Sequence, residues 1–149
     1  MFKNILIPTD GSKLSQKAAV YGINLAKSVG AKVTAFFAAP PATPIIYSDI
    51  LPVGYATPAE HEQMIERAAA RYLGFVERAA EKAGVRCEAV HVTSDYPGEA
   101  ILKLARNKKC DLIVMATHGQ GGLRGVFIGS ATQKVLNQSS IPVLVLRSR

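Results

Sequence analysis

The sequence predicts a doubly wound α/β domain, a five-stranded parallel sheet with helices on both faces. Three observations carry that prediction. Five short apolar runs alternate with segments of 3.6-residue hydrophobic period. One of those runs, in Asp111 to Ala116 (DLIVMA), is continuously apolar, as a central parallel strand covered on both faces must be. Glycines punctuate the helical segments where they should stop. Strand-helix alternation of this kind builds a parallel sheet between two helical layers. No internal repeat is visible, so residues 1–149 read as a single domain.

In chain order, the first strand is expected over Asn4 to Thr9 (NILIPT). A helix follows with Ser12 as N-cap, Leu14, Ala18, Gly22, Leu25 and Val29 on its stripe, and Gly30 as its stop. Lys32 to Ala38 (KVTAFFA) is rich in β-branched and aromatic residues and reads as a strand. The longest helix places Ile65, Ala69, Tyr72, Val76, Ala79 and Ala83 on one face before Gly84. Cys87 to Thr93 (CEAVHVT) alternates, which suits a sheet edge. A helix over Gly98 to Arg106 turns Ile101, Leu104 and Ala105 inward. After the fourth strand, a helix opens near Gly129 and Ser130 and carries Ala131 and Val135. Val143 to Leu146 (VLVL) closes the sheet, preceded by a proline that is tolerated at a strand's start.

The bulk properties exclude several classes. With 149 residues, 48% of them apolar and 19% charged, the chain suits one globular core. The longest apolar run is a strand's worth, so no transmembrane helix is expected. The opening MFKNILIPTDG has no n-region, h-region or cleavage site, which predicts a cytoplasmic protein without a secretory signal. Cys87 and Cys110 form no CxxC and read as buried thiols in a reducing compartment. The net charge is +7, with five lysines against Asp10 in residues 1–37 and eight basic residues against Asp111 in 100–149. That distribution suits a polyanionic ligand if the fold joins the two ends. Nucleic acid is disfavoured, because no helix-turn-helix, zinc-finger or RNP-like signature is present. Residues 39–57 hold four prolines and no period, and read as a lid, an association surface or an insertion.

The strongest chemical signal is HGQGGLRGVFIGS, from His118 to Ser130, directly after the fourth strand. Glycines at 119, 121, 122, 125 and 129 leave backbone N–H groups open to an anion. Gly129, Ser130 and Ala131 then open a helix whose free N–H groups and dipole favour phosphate. Ser130 adds a hydroxyl, and Arg124 can swing over a phosphate. The segment is neither a Walker A loop nor the GxGxxG dinucleotide fingerprint, and no GxSxG serine-hydrolase elbow is present. Asp10, at the end of the first strand, is the second member of the constellation. If strands one and four are neighbours, Asp10 and the glycine loop meet where their crossovers diverge, the usual ligand position in open α/β sheets. A carboxylate there can accept from a ribose hydroxyl or an adenine amine; alone, it would read as a turn or cap carboxylate.

The full pattern resembles the universal stress protein family over essentially the whole chain. The residues that carry it are KNILIPTDGS from Lys3 to Ser12, DLIVMATHG from Asp111 to Gly119, Gly129-Ser130, and PVLVL from Pro142 to Leu146. The family's nucleotide-binding branch carries Gly-x2-Gly-x9-Gly-Ser. Gly119, Gly129 and Ser130 match it, while Ala116 stands where its first glycine belongs. The resemblance implies strand order 3-2-1-4-5. It also implies an ATP-binding, homodimeric signalling or adaptor module, with an unknown protein partner and with dimerisation through Val143 to Leu146. By motif, Asp10 touches ribose or base, beside Pro8 and Thr9. Ala38 and Met115 flank adenine, next to Ala116, and Gly119, Gly129, Ser130 and Ala131 hold the phosphates. Mg²⁺ arrives with the nucleotide rather than on a protein site. His118 either assists at phosphate or braces the loop by a hydrogen bond. The rival functions are a slow ATPase or autophosphorylating protein, and a nucleotide-free dimeric scaffold, to which Ala116 points.

Overall fold

The computed structural model describes residues 1–41, 57–119 and 128–147. Its elements run β1 (Asn4–Pro8), α1 (Lys13–Val29), β2 (Lys32–Ala39), α2 (Pro58–Ala83), β3 (Cys87–Thr93), α3 (Pro97–Asn107), β4 (Leu112–Ala116), α4 (Ser130–Gln138) and β5 (Val143–Leu146). All four strand pairings are parallel, and the strands lie in the order β3-β2-β1-β4-β5. The expected fold and strand order are therefore those observed.

Central position explains strand composition. Every residue of β1 and β4 is buried, with Ile5, Leu6, Ile7, Ile113 and Val114 at 0% exposure. Side chains alternate across the sheet, so two cores form. Ile5, Ile7, Val33, Phe37 and Val114 pack beneath α1 and α2, while Leu6, Phe36, Ile113 and Met115 pack beneath α3 and α4. Burial of each such side chain contributes about 1.5–3 kcal/mol relative to exposure. β3 and β5 are the two edges and keep partial exposure along their length.

A polar cluster makes β1 and β4 neighbours at the base of the sheet. Asp111 accepts from the backbone N–H of Lys3 (2.8 Å) and of Asn4 (3.1 Å). The Asn4 amide donates to the Lys108 carbonyl and its Oδ1 accepts from Thr34 Oγ1, both at 3.0 Å. Two nearly buried polar side chains, Asn4 and Thr34, are thus satisfied while tying β1 to β2 and to the entry of β4.

Helix ends follow their sequence signals. Ser12 caps α1 by accepting from Ser15 N. Thr57 and Glu60 form a reciprocal capping box on α2. α1 and α2 end at Gly30 and Gly84 in left-handed conformation. The buried faces include Ala18 and Gly22 of α1, Ala69 and Val76 of α2, and Ile101 and Ala105 of α3, as expected, but extend to neighbouring residues outside the expected stripes. In α1 the buried residues are Ser15, Ala18, Ala19, Gly22, Ile23 and Ala26, with Leu14 and Leu25 only half-buried. A Cβ on Gly22 would meet Ile7 Cδ1 at 2.7 Å, so small residues, rather than large apolar ones, form the seam against the sheet.

Burial pushes the Cys87 thiol up to about 11 and also raises that of Cys110; both are free. Because the folded value of Cys87 exceeds the ordinary 9.0, its contribution to stability is full below pH 9 and lost as pH rises to about 11. Both thiols should react slowly with a disulfide reagent in native protein at pH 8 and rapidly in urea. Fast native reaction of Cys87 would contradict this environment.

Candidate functional site

The C-terminal ends of β1 and β4 lie side by side, and their following helices leave on opposite faces of the sheet. This is the topological switch point, and it holds an open cavity of about 200 Å³.

On the β1 side, Thr9 N donates to the Phe36 carbonyl at 2.8 Å, extending the pairing with β2. A chain of hydroxyls then sets the turn into α1. Gly11 N donates to Thr9 Oγ1 (3.2 Å), Thr9 Oγ1 lies 3.1 Å from Ser15 Oγ, and Ser15 Oγ donates to the Ser12 carbonyl (2.8 Å). With the Ser15 proton so committed, the Thr9 hydroxyl donates to Ser15. Asp10 Oδ1 accepts from Ser12 N at 3.0 Å, which orients the carboxylate over the cavity wall.

On the β4 side, Thr117 N donates to the Leu146 carbonyl and Gly129 N donates back to the Thr117 carbonyl at 2.6 Å. Thr132 Oγ1 donates to the Ala116 carbonyl at 2.8 Å, a buried bond that pins the first turn of α4 to the end of β4. Gly129 is the N-cap of α4 and supplies no side-chain cap. The first N–H groups of α4 have no intrahelical partner and carry the positive end of the helix dipole, and two residues of that first turn, Ala131 and Thr132, line the cavity. The His118 ring is hydrogen-bonded to its chain neighbour, with Nδ1 3.2 Å from Thr117 Oγ1.

Nine of the twelve residues singled out in the sequence line this cavity: Pro8, Thr9, Asp10, Ala38, Met115, Ala116, His118, Gly119 and Ala131. Gly129 and Ser130 stand beside it at the start of α4 but are not in its lining, and Ser130 lines a neighbouring groove. Arg124 lies outside the described residues, as does most of the 39–57 segment read as a lid. Sequence reasoning missed Ser15, Phe36, Pro97, Ile101 and Thr132 as lining residues. Phe36 was recoverable, because it shares a strand face with Ala38 two residues on. Pro97 and Ile101 come from α3, which the motif does not touch.

The two matched glycines serve space rather than backbone conformation, since neither has a positive φ. A Cβ on Gly119 would fall inside the Asp10 carboxylate. One on Gly129 would press on the Thr117 carbonyl and His118 Cα, each at 3.3 Å. Ala116 also has negative φ and continues the β4–β5 register opposite Leu146, so alanine there carries no backbone strain.

Comparison with known proteins places this geometry. The model of the universal stress protein family matches residues 1–147. The chain belongs to the universal stress protein family. Universal stress protein MJ0531 of Methanocaldococcus jannaschii is 33% identical over 151 residues, covering 99% of this chain and 83% of that one. The solved structure of MJ0577 superposes with a TM-score of 0.77 at 25% identity, covering 100% of this chain and 98% of that one. A universal stress protein solved in complex with cAMP gives a TM-score of 0.69 at 22% identity, covering 98% and 97%, a likeness of fold. Among the described residues of this universal stress protein, no helix is long and apolar enough to cross a membrane.

Proposed function

We propose that this universal stress protein binds ATP at the β1–β4 switch point and acts as a nucleotide-controlled signalling or adaptor module. One observation carries the reading. A single cavity combines an apolar slot (Phe36, Ala38, Ile101, Met115), a carboxylate (Asp10) and the first turn of α4 (Ala131, Thr132), whose Gly129 N-cap makes no side-chain hydrogen bond. Those three chemistries complement a base, a ribose and a phosphate tail, respectively. In this reading the base lies between Ala38 and Met115, Asp10 accepts from the ribose or the base amine, and the phosphates run over Gly119 to the Gly129–Ala131 turn. Mg²⁺ fits as a passenger on the phosphate oxygens. Among the described residues, Asp10 is the one carboxylate lining the cavity and no group of three or more metal-ligating side chains occurs.

Denaturing the purified protein and analysing released nucleotide tests the proposal. Intact ATP supports a binding module and ADP supports turnover. Absence of nucleotide, together with no measurable ATP affinity, sinks it. Dimerisation through β5 belongs to the same reading. β5 is an edge strand of half-buried apolar residues, and Leu136 of α4 is exposed. Sedimentation at about twice the 15.9 kDa chain mass is expected, and a mass of one chain would refute the dimer.

A further inference from the structure

A second groove adjoins the first and is built for different chemistry. It measures about 210 Å³ and lies between the first turns of α3 and α4, meeting the switch-point cavity at Pro97 and Ala131, which line both. Gly98 brings the two helices together there, since a Cβ on it would meet Lys134 Cβ at 2.7 Å and the Ala131 carbonyl at 3.2 Å. Tyr96 is 66% exposed and lines the groove. Its charged lining is Asp95, Glu99 and Lys134, with Lys134 Nζ 3.4 Å from Glu99. Ser130 supplies a hydroxyl at the start of α4.

Two carboxylates against one ammonium disfavour a further phosphate in this groove. They suit the hydroxyl and amine donors of a nucleoside, and an exposed tyrosine suits a base face. We infer that the groove takes a second nucleoside, so that the preferred ligand is a dinucleoside polyphosphate whose phosphate bridge crosses Ser130 and Ala131. This inference rests on the nucleotide reading of the first cavity. The first nucleoside occupies the slot between Ala38 and Met115, and the second stacks on Tyr96, its ribose hydroxyls donating to Asp95 or Glu99.

Calorimetric titration of the full chain with diadenosine tetraphosphate and with ATP separates the two levels. The expected result is at least about tenfold tighter binding of the dinucleotide, the scale of one base-aromatic stack. Tyr96→Ala should abolish that preference while leaving ATP affinity within about twofold, and Tyr96→Phe should retain it. Equal affinity for the two ligands, or an equal loss of both on Tyr96→Ala, overturns the second site alone. Failure of both ligands to bind overturns the first cavity's reading and this one with it. Tyr96 is largely exposed, so neither variant threatens the fold.

Discussion

Gly119→Ala should lower ATP affinity by about 10- to 150-fold, the scale of losing a charge-assisted hydrogen bond. The added methyl would occupy the place of the Asp10 carboxylate, which is held by Ser12 N at 3.0 Å. Either Asp10 leaves that bond or the 118–119 segment lifts from the cavity, and both outcomes misplace the carboxylate relative to the base slot. Calorimetric titration reads the loss, and a double-mutant cycle assigns its cause. If the clash with Asp10 is responsible, Gly119→Ala combined with Asp10→Ala should bind ATP no worse than Asp10→Ala alone. Additive losses would mean that Gly119 acts through something other than Asp10. The melting temperature should move little, because Gly119 follows the last residues of β4 at the site rim rather than in either core.

Gly11→Ala should have the largest effect on stability. Gly11 has φ +80°, where an alanine costs about 1–2 kcal/mol, and its Cβ would overlap Cε1 and Cδ1 of the Tyr72 ring. Overpacking adds about 1–3 kcal/mol. Tyr72 stacks edge-on against Phe37, with centroids 5.2 Å apart and planes at 88°, so moving aside costs it that contact. A fall in melting temperature of roughly 5–15 °C is expected for a domain of this size. In a Tyr72→Ala background the penalty should shrink to its backbone part. An unchanged melting temperature for Gly11→Ala would mean that the turn after β1 is not held as described.

The sheet was legible because its signals are local. Val143–Leu146 matches its predicted bounds, and the continuous apolar run in β4 and the alternation in β3 correctly separated interior strand from edge. The order of the strands was not written in periodicity; it came with the family resemblance. Ala18 and Gly22 of the expected α1 stripe are buried, whereas Leu14, Leu25 and Val29, expected there for their hydrophobic size, are only half-buried. Ser15, Ala19 and Ala26, outside that stripe, are buried because small side chains let the helix approach the sheet. At the site, Gly119, Asp10 and the β4 end were readable as a spacing pattern, with Gly129 beside the cavity. Pro97 and Ile101 were not, since only the packing of α3 against α4 brings them to the cavity. Thr132 escaped for a similar reason. Its hydroxyl bond to the Ala116 carbonyl depends on how α4 leaves β4, which no local pattern encodes.

The central claim is that the β1–β4 switch point holds an adenine nucleotide. Titration of isotope-labelled protein with ATP, followed by amide chemical shifts, tests it most directly. The account predicts saturable shifts concentrated at Thr9 to Gly11, Ala38, Met115 to Gly119 and Gly129 to Thr132, with the base of the sheet around Asn4 and Asp111 unmoved. Shifts centred elsewhere, or none at millimolar ATP, would contradict it.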